Sequence, residues 1–387
     1  MKKILFIAQM RNYGGVERSL INLLWDIPAD KYSVTVAVLG EHSDIIKEIP
    51  SWVEIKKIDG YTQKEFLISR FKKLKLIKAV RLAKYFLLTK RTNKISFKGY
   101  EISANRYPAI KENYDAVIAW AMPDAYENIY ALRNVSAKKK TIWMHMDLEN
   151  YEMPQDGEKY LAEYDNIVCV SKACKNSFDK IYPSLEGKSK VFYNVIDKEG
   201  LLKASEGEKD ISYDSGFSIL TCGRLAKEKR IVYSVEVCKS LLKEGFADFK
   251  WYFVGDGPYK KQLMDAICEN HLEENIILLG AKLNPFPFVK DADLYVQMSS
   301  HESFCLTLAE AQMLGVPAVS TNFQASYEIV EENETGYLVE HNPQAIFSAV
   351  KRIMEDKNEF KRLKNNTQKI DFKKFSGSFS GLEGVIF

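Results

Sequence analysis

Residues 291–321 read DADLYVQMSSHESFCLTLAEAQMLGVPAVST. An apolar strand, Asp293–Met298, runs into a polar turn. A helix over 304–314 follows and must stop before Pro317, and Pro317–Ser320 is a second apolar strand. That is one parallel βαβ unit. Glu302 stands in the turn and Glu310 lies inside the almost uncharged helix, eight positions on. Two readings are open. One is a helix with a charged first residue and a single solvated position. The other is a pair of ligands for one polyol, held at a helix start.

The same alternation spreads outward in both directions. In the first half the expected strands are Ile4–Ala8, Ser33–Leu39, Tyr114–Trp120, Thr141–His145, Asn166–Val170 and Val191–Tyr193, with helices over Val16–Asp26 and Lys172–Tyr182. Asp197–Ser215, rich in Lys, Glu, Asp, Ser and Gly, has the composition of a linker. Beyond it come strands Phe217–Cys222, Lys250–Val254 and Asn275–Leu279 and helices Ile231–Glu244 and Tyr259–Asn270. The chain has 387 residues, which suits two domains of roughly 150–200 residues each. We therefore expect an α/β protein of two doubly wound, Rossmann-like domains facing a central cleft. Residues 1–197 form the first and 198–370 the second, with a C-terminal segment, 371–387, that can return to the first. Ligands in such sheets bind beyond the carboxyl ends of the strands, so the strand-to-helix turns are where chemistry belongs.

Composition removes several function classes. A net charge of +3 gives no global attraction to nucleic acid. None of the six cysteines forms a CxxC pair, so zinc-ribbon and thioredoxin chemistry are not indicated. Most sit in apolar runs and fit buried thiols in a reducing compartment. No GxGxxG follows a strand, which counts against a dinucleotide oxidoreductase, and LEGKS at 185–189 lacks the leading glycine of a phosphate loop. No apolar run reaches the roughly 18 residues needed to span a bilayer, and MKKILFIAQM reads as a first strand rather than a leader. Asp291 and Asp293 have DxD spacing, but Asp293 leads straight into a strand and reads as structural.

The informative turns are few. AQMRNYGGVERSL places Gly14 and Gly15 ahead of a helix, where backbone can approach an anion. GRLAKEKR follows Phe217–Cys222 and puts Gly223, Arg224 and Lys229 at a strand mouth, a natural clamp for a diphosphate. VGDGP supplies Gly255 and Gly257. His145 follows the strand TIWM. In the opening segment the first helical amides, at Phe304, Cys305, Leu306 and Thr307, can hold phosphate oxygens. Glu310 can accept both hydroxyls of a ribose, and Glu302 can meet a second hydroxyl-rich group.

Together these residues resemble the retaining GT-B glycosyltransferases of family 4. The glutamate, seven residues and second glutamate match that family's EX7E motif. GGVER, the GRLxxEK-like run, VGDGP, His145 and NETGYLV stand in the family's order. The resemblance covers nearly the whole chain. It implies a metal-independent, retaining glycosyltransferase of hexosyltransferase type that needs no cofactor. Its donor would be a nucleotide sugar, UDP-linked by expectation, and its acceptor a glycan or lipid-linked molecule of a bacterial surface polysaccharide. Residues 1–197 would be the acceptor side and 198–370 the donor side. The implied catalytic residues are Arg224 and Lys229 on the diphosphate, Glu302 on the transferred sugar and His145 near it. Gly14, Gly15, Gly223, Gly255, Phe304, Cys305, Leu306, Thr307 and Glu310 would bind the donor, while Asn194 and Asp197 in YNVID are weaker candidates. Ser303 and Cys305 depart from the family, standing where small glycines are common, and the last residues are short for its usual return helix. The alternative is a catalytically silent GT-B subunit that binds a partner or lipid.

One stretch stands outside that account. No acidic residue occurs from Phe66 to Tyr100, yet eleven Lys and Arg do. Residues 70–98 can form an ordinary core-facing helix or a patch for an anionic membrane surface. The expectation is a cytoplasmic protein, peripheral on the inner face of the cell membrane if that patch meets lipid.

Overall fold

The structure, a computed structural model, describes residues 1–11, 14–61, 65, 97–154, 156–213 and 216–387. Residues 70–96 of the basic stretch lie outside the described residues. The chain divides into two compact units, Met1–Val195 with Gly377–Phe387, and Ile196–Ser376.

The first unit holds a seven-stranded sheet: β1 (Lys2–Ala8), β2 (Tyr32–Leu39), β3 (Glu54–Ile58), β4 (Asn113–Trp120), β5 (Ser136–Met144), β6 (Asn166–Cys169) and β7 (Ser189–Val191). Its order is β3-β2-β1-β4-β5-β6-β7, and every pairing is parallel. Central strands need apolar residues on both faces, and β1 meets that need with Ile4, Leu5, Phe6 and Ile7, all without exposed surface. The C-terminal helix Phe379–Ile386 packs on this unit: the Phe379 ring lies 4.9 Å from that of Tyr32, and the Phe379 amide donates to Asp26 Oδ2 at 2.5 Å.

The second unit holds β8 (Phe217–Cys222), β9 (Phe249–Val254), β10 (Ile276–Gly280), β11 (Leu294–Gln297), β12 (Ala318–Thr321) and β13 (Gly336–Val339). Their order is β10-β9-β8-β11-β12-β13, again all parallel. The direction of winding reverses between β8 and β11, and that topological switch point is where a crevice opens at the strand ends.

Three sequence expectations need correction. The stretch read as a linker contains a helix, Lys198–Ala204, whose N-cap Asp197 accepts from the Gly200 amide at 3.0 Å; only Leu201 in it is buried, so its composition looks like loop. The strand β3, EIKKI, reads as polar because it lies at a sheet edge, where charge guards unpaired backbone. The helix expected from 304 begins at Leu306, because Cys305 takes a left-handed conformation, φ 80°.

Two glycine turns brace each other at the strand ends of the second unit. The Gly223 amide donates to Val254 O at 2.9 Å and the Leu225 amide to Asp256 O at 2.9 Å. This approach leaves no space for side chains: a Cβ on Gly255 would lie 1.9 Å from Gly223 O, and its φ is +148°. Gly255→Ala should therefore cost about 2–4 kcal/mol of unfolding free energy. Gly245, also at positive φ but with nothing within 4 Å of a Cβ, should lose only about 1 kcal/mol as Ala. Urea titration of both variants checks the contrast; equal losses would contradict it.

Candidate functional site

The site is built where β8 and β11 lie side by side, with Tyr295 in register with Leu220. After β8 the chain turns at Gly223, makes a short 3-10 turn at Lys227–Lys229 and leaves it through Arg230 in the left-handed region. After β11 it enters the turn that carries Glu302. The two loops are stitched together: the Ser300 amide donates to Glu228 O at 2.8 Å, and the Ser300 hydroxyl to the same oxygen at 3.2 Å.

That stitching sets Lys229 Nζ 2.5 Å from Glu302 Oε1, with the two side chains only 18% and 16% exposed. Ser299 Oγ donates to the same Oε1 at 2.7 Å, and Gln297 Nε2 approaches it at 3.4 Å. Burial alone would lower the Lys229 pKa; the Glu302 carboxylate foremost, with Glu228 adding to it, outweighs burial and holds the ammonium well above the ordinary lysine value. Burial pushes the Cys305 thiol up to about 12, so at neutral pH it is uncharged and Glu302 is the counter-ion. One of three ammonium protons serves Glu302, leaving two for a ligand. A Cβ on Gly223 would lie 3.9 Å from Nζ, so the glycine keeps the approach to that cation open.

The helix Leu306–Met313 starts directly beyond. Its first amides have no carbonyl one turn back and carry the positive end of the helix dipole. Cys305, its N-cap residue, makes no side-chain cap hydrogen bond. Phe304 and Cys305 are buried. Glu310 lies one turn in from Leu306, on the same face, and is 8% exposed. It adds to the burial that pushes the Cys222 thiol up to about 12. The helix closes at Gly315, φ +79°, and the Val316 amide bonds back to Ala311 O at 3.0 Å, a glycine stop of the usual kind.

Lys229, Glu302, Gly223, Cys305 and the helix start are thus brought together in the second unit. Arg224 and Lys229, the two cations expected at a diphosphate, each meet a carboxylate of their own. Arg224 is 71% exposed and meets Glu228 at 3.1 Å, while Lys229 faces Glu302. Gly255 supports the turn from below rather than facing the ammonium. Asp293 accepts from the Ser218 amide and hydroxyl at 2.9 and 2.8 Å, and Asp291 pairs with Lys209, so the DxD carboxylates serve the fold. Among the described residues no group of three or more His, Cys, Asp or Glu is placed to hold a metal. The sequence gives little sign of Gln297, Ser299 and Glu228; the alternation of polar residues at 295, 297 and 299 is the one available signal.

Gly14, Gly15 and His145 belong to the first unit. Gly14 is the N-cap of the helix Gly15–Asp26, and a Cβ there would meet Glu17 Oε2 at 2.9 Å. His145 follows β5, packs 4.9 Å from the Trp120 ring and is 6% exposed. Burial lowers its pKa to about 3, so it offers a neutral imidazole and no charge.

Comparison with known proteins agrees with this architecture. Residues 206–370 match the sequence model of the family described as glycosyl transferases group 1. That match lies wholly within the second unit. It is 30% identical over 183 residues, 47% of this chain and 48% of the relative, to the N-acetylgalactosamine-N,N'-diacetylbacillosaminyl-diphospho-undecaprenol 4-alpha-N-acetylgalactosaminyltransferase of Campylobacter jejuni. It is 33% identical over 235 residues, 56% of this chain and 45% of the relative, to the GtfA subunit of a UDP-N-acetylglucosamine–peptide N-acetylglucosaminyltransferase of Streptococcus agalactiae. The matches span about half the length of these curated relatives. Among solved structures, HepE of Anabaena in complex with UDP superposes with a TM-score of 0.69 at 18% identity, covering 97% of this chain and 96% of that one. At that identity the likeness establishes the fold alone, a GT-B fold.

The buried imidazole carries a pH signature. Its folded pKa of about 3 lies below the ordinary value near 6.5, so between those values the unfolded chain binds the extra proton. Stability is then fully present above pH 6.5 and falls as pH drops toward 3. From pH 7 to 5 the loss from this group is about 2 kcal/mol. His145→Gln should lose less stability over that interval than the parent, read by urea titration at both pH values. An identical loss in the two proteins would place His145 in a solvated setting instead.

Proposed function

We propose that this chain is a retaining glycosyltransferase that moves a hexose-type sugar from a UDP-linked donor to a lipid-linked or glycan acceptor. The observation that carries the reading is the Lys229–Glu302 pair, 2.5 Å apart, at the mouth of a helix that holds Glu310. Breaking a glycosyl–phosphate bond leaves an oxocarbenium-like sugar and a diphosphate with an added charge. A partly buried ammonium and a helix N-terminus suit the second. Glu302 orients the sugar, and Glu310 takes the ribose hydroxyls. Arg224, held by Glu228 in an exposed pair, can turn to the diphosphate at little cost. A donor phosphate oxygen takes the acceptor proton as the bond loosens, so neither glutamate serves as a hydrolase-type nucleophile. The UDP donor is supported by HepE, solved with UDP and with UDP-glucose. The lipid-linked acceptor is supported by the Campylobacter relative, whose name includes diphospho-undecaprenol. No helix among the described residues is long and apolar enough to cross a membrane, so such an acceptor would be met at a surface.

The direct test is turnover of a panel of UDP-sugars, with and without acceptor lipid. Arg224→Ala and Lys229→Ala should each lower turnover by at least about a hundredfold, the usual scale for losing a charge contact made in the transition state. Near-normal turnover in both would remove the diphosphate clamp. The glutamates should separate: Glu310→Ala weakens binding of free UDP, whereas Glu302→Ala lowers kcat and leaves UDP affinity largely intact. Equal loss of UDP affinity in both would overturn the assignment of ribose and sugar.

The basic stretch suggests how a lipid-linked acceptor is reached. Each surface Lys or Arg near an anionic leaflet is worth on the order of 1 kcal/mol. The chain should sediment with vesicles containing anionic lipid and little with neutral ones, and lose that binding when Lys72, Lys73, Lys75 and Lys78 become Glu. Equal binding to neutral vesicles, or none to either, would remove the membrane contact.

A further inference from the structure

Tyr295, Gln297 and Ser299 alternate along β11 and its extension, so they share one face of the sheet. All three are buried, at 0%, 2% and 0% exposure, and they form a continuous hydrogen-bonded ladder. The Thr307 side chain, in the first turn of the helix, bonds to the Tyr295 hydroxyl. That hydroxyl lies 3.0 Å from Gln297 Oε1 and 3.1 Å from Cys222 O. Gln297 Nε2 donates to Ser299 Oγ at 2.6 Å, and Ser299 Oγ donates to Glu302 Oε1 at 2.7 Å.

The direction of these bonds is fixed at both ends. Turning the Gln297 amide over would set its oxygen against the Glu302 carboxylate, so the carboxylate itself holds the amide with Nε2 forward. Ser299 accepts from that amide, and its one hydroxyl proton is then committed to Glu302. With Lys229 on the same atom, Oε1 faces three donors, one from the turn after β8 and two from β11 and its extension. Among the described residues Oε2 has no hydrogen-bond partner. A carboxylate clamped by one oxygen cannot rotate, and it shows a ligand only the other.

We propose that Gln297 and Ser299 are positioning residues, which hold Glu302 through Oε1 so that Oε2 alone receives a hydroxyl of the transferred sugar. The ladder thereby sets how the sugar is oriented and which hydroxyl pattern is accepted. This rests on the transferase reading above.

Ser299→Ala and Gln297→Met remove the donors with little change of volume. Each should lower kcat with the best nucleotide sugar at least tenfold, change UDP affinity less than twofold, and relax the preference between sugars differing at one hydroxyl. Ser299→Thr, which keeps the hydroxyl, should stay within threefold of the parent. Parental kcat in both donor-deleted variants would overturn the proposal, as would a parallel loss of UDP affinity. A second measurement needs no turnover. In the 15N spectrum of the full chain, the Gln297 side-chain NH2 pair should be slow to exchange, and its signals should move in Glu302→Ala and in Ser299→Ala. If they stay in place in both variants, the ladder does not hold Glu302, whatever the activity. If the parent turns over no nucleotide sugar while those signals do move, the transferase reading fails and the clamped carboxylate stands.

Discussion

A lysine ammonium and a glutamate carboxylate with little access to water are expensive to bring together. Each loses hydration worth several kcal/mol, and their attraction offsets that only when geometry and extra hydrogen bonds are right. Lys229 and Glu302 meet both conditions. They touch at 2.5 Å, and the carboxylate oxygen takes further bonds from Ser299 and Gln297. The backbone that makes this geometry possible comes from two loops distant in sequence, tied through Glu228 O and Ser300. Much of the second unit's architecture near the switch point serves to hold those loops in register.

The glycines and Cys305 divide the backbone demands of the site between them. Both Gly223 and Gly255 take positive φ values, and at Gly255 the neighbouring turn lies so close that a Cβ would sit 1.9 Å from Gly223 O, so bare backbone is obligatory there. Cys305 takes φ 80° with a side chain attached, a conformation that costs a non-glycine residue roughly 1–2 kcal/mol. The cost is retained at a point between Glu302 and the helix start, where strain marks functional geometry. In place of the open space a glycine would leave, a buried neutral thiol lies beside the carboxylate.

The alternation of strands and helices is legible in the sequence because the central strands are buried on both faces, which yields unbroken apolar runs such as ILFIA and AVIAW. Edge strands are not legible in that way: EIKKI looks like surface, and the helix after Asp197 buries one leucine. Glu302, Glu310, Lys229 and Arg224 are visible as candidates from their places after strands. Which of them touch is not visible. Lys229 faces Glu302 because β8 lies beside β11, although β9 and β10 separate them along the chain, and no local pattern encodes that adjacency. Gln297 and Ser299 escape notice for a related reason, since a polar residue at the end of a strand is ordinary until its partner is known. The αL turn at Cys305 is hidden as well, because the residue there is not the glycine such a turn usually takes.

The central claim is that Lys229 and Glu302 act as one unit on the donor. A double-mutant cycle on kcat/KM, with Lys229→Met, Glu302→Gln and the two combined, measures this directly. If the pair is a unit, the combined variant loses little more than the worse single variant, with a coupling of at least about 2 kcal/mol, since either change alone already disarms the other residue. Losses that simply add would mean that the ammonium and the carboxylate act on the donor independently, and would contradict the account.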